Sequence, residues 1–148
     1  MTMITDWYNG KTILVTGGTG FMGKVLLEKL LRTCPGIHQI YILARPKRGN
    51  APAARIDEMA KLPLFESLVK NNPGVMKKLV AVECDITKPS LALSKEQKHK
   101  LVSEINIVFH LAASLRLEDG MKPSITNNTL TTKHILDFCS EMMQLKVS

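Results

Sequence analysis

Apolar residues gather along this chain in short blocks, and their spacing alternates between two periods. A first continuous block, Thr12-Ile13-Leu14-Val15, predicts a strand over 11–16. The next block changes period. Met22, Leu26 and Leu30 recur every fourth residue with Leu27 and Leu31 beside them, while Lys24 and Glu28 stand opposite. That pattern is an amphipathic helix, ended by Thr33-Cys34-Pro35-Gly36. Residues 39–44, Gln-Ile-Tyr-Ile-Leu-Ala, form a nearly unbroken apolar run of the kind buried on both faces, stopped by Arg45-Pro46. A polar loop over 47–52 leads to a helical region over 53–70, interrupted near Pro63. Asn71-Asn72-Pro73-Gly74 marks a turn, and 79–84 predicts a third strand. A short polar helix over 94–103, a fourth strand over 105–111 and a last helix from Pro123 or Ser124 to about Met143 complete the pattern.

Strands alternating with helices across short connections predict an α/β fold whose parallel sheet is covered by helices. Four strands make an incomplete doubly wound, Rossmann-like sheet, since the full fold has about six. Strand four then lies at an edge, and the expectation is that 7–148 is the N-terminal portion of a longer domain. Met1-Thr2-Met3-Ile4-Thr5-Asp6 is similar to the start of bacterial β-galactosidase, so residues 1–6 are read as a vector-derived leader.

Composition narrows the function classes. A hydrophobic fraction of 45% with mean hydropathy of +0.02 suits a soluble globular domain. Apolar runs of about four to six residues are too short for a membrane span, and no signal-peptide pattern opens the chain. Cys34, Cys84 and Cys139 lack the paired spacing of a zinc site or disulfide framework, and His38, His99, His110 and His134 lack ligand spacing. His110, following Ile107-Val108-Phe109, reads as a strand-end histidine rather than a metal ligand. The net charge of +7 comes from scattered basic residues, and with 5% aromatics there is no interleaving suited to nucleic acid. Only the group Arg45-Lys47-Arg48 suits a polyanionic small molecule.

The chemistry concentrates where strand one opens into Thr16-Gly17-Gly18-Thr19-Gly20-Phe21-Met22-Gly23. A strand, a three-glycine turn and a helix form the dinucleotide-binding arrangement. Gly17 makes the tight turn, Gly20 lets the backbone approach a pyrophosphate, and Gly23 lets the helix pack closely on its strand. Free N–H groups of the first turn, including those near Thr19, Phe21 and Met22, then face the phosphates. About twenty residues further on, an NAD site carries an acidic residue for the ribose hydroxyls. Here Arg45 holds that place, with no Asp or Glu between Glu28 and Asp57. A guanidinium there favours NADP(H), because it can clamp a 2′-phosphate with paired charge-assisted bonds; the alternative is an ordinary exposed arginine. Asp85-Ile86 after strand three could meet the adenine, or Asp85 could simply cap a turn. Ala112-Ala113-Ser114 after strand four offers small side chains where a cofactor passes close to the backbone, as plain packing also would.

Trp7-Tyr8-Asn9-Gly10-Lys11, Leu43-Ala44-Arg45-Pro46-Lys47, Leu62-Pro63-Leu64-Phe65-Glu66, Asp85-Ile86 and His110-Leu111-Ala112-Ala113-Ser114 resemble the start of eukaryotic, insect-like fatty acyl-CoA reductases of the extended short-chain dehydrogenase/reductase superfamily. The resemblance implies NADPH-dependent reduction of a long-chain fatty acyl-CoA to a fatty alcohol through two hydride transfers. It carries over Gly17, Gly20, Gly23, Arg45, Asp85, Ala112 and Ala113 as cofactor contacts. Asn128 matches the superfamily's helix asparagine, although Thr131 stands where glycine is usual. The resemblance also implies a domain on the cytoplasmic side and a parent at the endoplasmic reticulum or peroxisomal membrane. The superfamily's Tyr-x-x-x-Lys pair is absent, since Tyr8 and Tyr41 are followed four residues later by Thr12 and Arg45. No catalytic residue is therefore assigned, and the chain alone is expected to be inactive. Two other classes remain: a different extended-family enzyme such as a sugar epimerase or hydroxysteroid dehydrogenase, and a catalytically silent nucleotide-binding protein.

Overall fold

The computed structural model describes residues 3–45, 49–114, 116 and 118–146. After a helical turn, α1 (Ile4–Trp7), the chain alternates as the sequence pattern predicts: β1 (Thr12–Thr16), α2 (Phe21–Thr33), β2 (Gln39–Ala44), α3 (Pro52–Ala60), α4 (Pro63–Asn71), β3 (Leu79–Glu83), α5 (Lys95–Glu104) and β4 (Ile107–His110). The final helical stretch is α6 (Met121–Ser124), a π-helical turn (Ile125–Leu130) and α7 (Thr131–Ser140). Every strand pairing is parallel, in the order β3-β2-β1-β4, so β1 and β2 are central.

Alternation along each strand divides the core between two sheet faces. Ile13, Val15, Ile40, Ile42 and Ile107 pack with Leu27, Leu30, Phe65 and Leu68 from α2 and α4. Leu14, Tyr41, Leu43 and Val108 face the other way, against Leu101, Ile135 and Phe138 of α5 and α7. Helices on both faces explain why β1 and β2 read as continuous apolar runs.

Boundaries differ from the sequence expectation where local chemistry intervenes. Pro63 begins α4 at its first position, which tolerates a missing N–H, so the helical region over 53–70 becomes two helices. The buried stripe of α2 is Gly23, Leu27, Leu30 and Leu31, and Met22 instead lies exposed at the helix start. β4 begins at Ile107 rather than Ile105, because the buried Asn106 side chain accepts from Thr12 N–H (2.9 Å) and donates to the Gln144 carbonyl (3.2 Å). Between β3 and α5, Ser90, Leu91 and Ala92 all adopt left-handed backbone, a feature no glycine announces, and this turn drives Leu91 into the second core.

Candidate functional site

The carboxyl ends of all four strands open on one cavity of about 890 Å³. Its floor is the glycine turn. Gly17 has φ +72°, and a Cβ there would lie 2.7 Å from both the Ala112 nitrogen and the Leu111 carbonyl carbon. The turn after β1 and the loop after β4 thus touch through backbone, which any side chain would prevent. A Cβ on Gly23 would lie 2.1 Å from the Gly17 carbonyl oxygen. Gly23 therefore seats α2 on the turn itself, rather than on β1 as expected from the sequence. Gly20 is the N-cap and provides no side-chain oxygen, which leaves the first-turn amides of a 13-residue helix available to an anion.

The cavity wall includes Gly17, Thr19, Gly20, Phe21, Met22 and Gly23 from the turn. From the other strand ends come Arg45, Ile86, Ala112 and Ala113. Two residues singled out from the sequence do not line it. Asp85 turns its carboxylate Oδ1 onto its own loop, accepting from Thr87 N–H (3.0 Å) and the Thr87 hydroxyl (2.6 Å). The Thr87 hydroxyl, opposed by burial and helped by the Thr87 amide and the charges of Arg45 and Lys88, holds that carboxyl below its ordinary range. Asn128 lies in the π-helical turn and grips the β4 loop: its Oδ1 accepts from Ser114 N–H (2.8 Å) and its Nδ2 donates to the Ser114 carbonyl (3.4 Å). Thr131, the residue that departs from the usual glycine, is buried and donates to the Asn127 carbonyl (2.9 Å), so the helix accommodates it by bonding its hydroxyl internally.

Sequence reasoning missed Arg55. It rises from α3, donates through Nη2 to the Thr19 hydroxyl and through Nη1 to the Arg45 carbonyl (3.2 Å), and lines the same cavity. Two guanidinium-bearing residues therefore flank the end of β2. Lys47 and Arg48, read from the sequence as further positive charge, lie outside the described residues. Cys84 also lines the cavity, but burial, reinforced by the Asp85 charge, pushes its thiol up to about 12, so it is no nucleophile at neutral pH. Neither Tyr8 nor Tyr41 lines the cavity; Tyr8 packs beside the first core and Tyr41 donates to Glu104 Oε2 (2.6 Å). Among the described residues no cluster of His, Cys, Asp or Glu could hold a metal.

A parallel sheet whose first strand enters a glycine turn and a helix N-terminus, with its crevice at the strand carboxyl ends, defines a Rossmann-type dinucleotide-binding domain. The chain belongs to the NAD-binding family described as Male sterility protein, whose model matches residues 15–148. A nicotinamide dinucleotide is accordingly its cofactor class, and the cradle built by Gly17, Gly20 and Gly23 fits one. The chain is 44% identical over 147 residues to fatty acyl-CoA reductase 1 of Gallus gallus and 40% identical to that of Homo sapiens, covering 99% of this chain and 28% of each relative. It spans little more than a quarter of those proteins. Among solved structures, the terminal R domain from the myxalamid PKS-NRPS biosynthetic pathway superposes with a TM-score of 0.74 at 29% identity, covering 94% of this chain and 34% of that one. No helix among the described residues is long and apolar enough to cross a membrane.

Proposed function

We propose that this chain is the cofactor-binding part of an NADPH-dependent fatty acyl-CoA reductase that forms fatty alcohols. The likeness to the fatty acyl-CoA reductases supports the reaction, and the observation that carries the cofactor choice is Arg45 at the end of β2 with Arg55 reaching it from α3, where an NAD site would present a carboxylate. Together they supply two planar, permanently charged donors for a 2′-phosphate. The glycine turn and the first-turn amides of α2, with Thr19, Phe21 and Met22, would cradle the pyrophosphate. Ile86 would pack on the adenine, with Asp85 holding the loop that carries it. Ala112 and Ala113 would let the nicotinamide half pass close to β4, and Asn128 fixes the loop that follows.

NADPH, when bound, supplies the hydride that reduces the acyl carbonyl. The chain's own residues bind and orient it. Among the described residues no tyrosine lines the cavity to protonate the product oxygen, and no Tyr-x-x-x-Lys occurs in these 148 residues. Acyl-CoA recognition and proton donation belong, in this reading, to further chain like that of the longer relatives. The test compares acyl-CoA-dependent NADPH oxidation by this chain and by a protein extended through a downstream Tyr-x-x-x-Lys. The reading expects turnover only from the extended protein, with the fatty alcohol as product. Robust oxidation by the 148-residue chain, or an extended protein that binds NADPH yet reduces no acyl-CoA, would contradict it.

A further inference from the structure

A relay of side-chain hydrogen bonds runs beside the cofactor cavity, starting from a buried threonine. Thr16, at the end of β1, is fully buried, and its hydroxyl oxygen faces three partners. It accepts from Leu111 N–H (3.1 Å) and Ala112 N–H (3.2 Å), and it lies 2.6 Å from His110 Nδ1. A hydroxyl has one proton and two lone pairs. The Leu111 N–H is shared with the Thr16 carbonyl (3.1 Å), but no water reaches the buried Thr16 hydroxyl and its own proton faces no acceptor except Nδ1. The imidazole is therefore neutral and carries its hydrogen on Nε2. That atom lies 3.1 Å from the Thr132 hydroxyl, which in turn donates to the Asn128 carbonyl (2.7 Å). With the Thr132 proton given to the Asn128 carbonyl, Nε2 is the donor at that end, and the directions agree from β1 to the π-helical turn. Burial lowers the pKa of His110, in the same sense.

We propose that His110, held as its Nε2–H tautomer between Thr16 and Thr132, is a positioning residue that sets the Ala112–Ser114 loop against the glycine turn for cofactor binding. This rests on the dinucleotide reading of the cavity. The relay joins the residue before Gly17 to the helical turn whose Asn128 side chain grips Ser114. It thus fixes the separation of the two backbone stretches between which the dinucleotide must fit. A protonated imidazole would direct an Nδ1–H at a hydroxyl whose own proton then has no acceptor. The cost would fall on the Ala112 amide or on a stranded buried O–H.

The test reads the tautomer and its consequence separately. Nitrogen-15 shifts of the His110 ring in the unmutated protein at neutral pH should show an unprotonated Nδ1 and a protonated Nε2. An Nδ1–H tautomer or a charged ring would overturn the proposal. Thr132→Val removes only the exposed hydroxyl end of the relay. It should shift the Ser114 amide resonance and weaken NADPH binding by about three- to tenfold, with little change in thermal unfolding. Thr132→Ser should restore both. Binding of NADPH by Thr132→Val equal to that of the unmutated protein would overturn the positioning role. Failure of the unmutated protein to bind any nicotinamide dinucleotide would instead sink the cofactor reading, a result the binding titration distinguishes.

Discussion

Gly23 and Gly17 are the positions where a single added carbon changes the site most. At Gly23 the neighbouring atoms are backbone, 2.1 Å and 2.5 Å from where a Cβ would sit, so no side-chain rotation can relieve the clash. Gly23→Ala should destabilise the fold by about 3 kcal/mol or more, at the upper end of overpacking costs, as read by denaturant unfolding. Stability unchanged in that variant would refute the close seating of α2 on the turn. Sequence alone exposed these glycines because only glycine meets such geometry, and it exposed Arg45 because the apolar run of β2 stops so abruptly before it. Arg55 was not legible in the same way. Its approach to Thr19 depends on where α3 lies across the crevice, a tertiary fact that residue spacing does not encode. Asp85 was ambiguous for a different reason: a carboxylate two residues before a threonine caps its own turn as readily as it meets a ligand.

Elements were legible where burial imposed a period and obscure where backbone geometry departed from it. The apolar runs of β1 and β2 follow from cover on both faces, and the interruption at Pro63 from the missing N–H of proline. The left-handed turn at Ser90, Leu91 and Ala92 left no such mark, because it is stabilised by burying Leu91 rather than by turn residues. Each non-glycine residue there costs about 1–2 kcal/mol. Ser90 is exposed, so Ser90→Gly should raise stability by about 0.5–1 kcal/mol after the glycine's own entropy is counted. A destabilised variant in thermal unfolding would contradict that geometry. The contact between β2 and α5 gives a pH signature. Burial, aided by the Glu104 bond and charge, pushes the Tyr41 phenol up to about 12 from 10.0. The folded state therefore favours the protonated phenol. Its contribution should be intact below pH 10 and lost as pH rises through about 12. Tyr41→Phe should flatten that alkaline decline in a stability–pH series while costing about 1 kcal/mol at neutral pH. An unchanged alkaline slope would show that Tyr41 is not its source.

At the scale of the molecule, β4 pairs with β1 on one side only, so its second edge has no strand partner among the described residues. Leu136 of α7, which packs against β4, adds exposed apolar surface. The 148-residue chain should therefore self-associate as concentration rises, seen by sedimentation velocity; a monodisperse monomer at high concentration would contradict the open-edge account. Calorimetric titration with NADPH and NADH decides whether Arg45 and Arg55 make this a site for the 2′-phosphorylated dinucleotide. The unmutated protein should bind NADPH more tightly than NADH. Arg45→Asp should weaken binding of NADPH alone by about 1–3 kcal/mol. Equal affinity of the unmutated protein for the two dinucleotides would contradict that assignment.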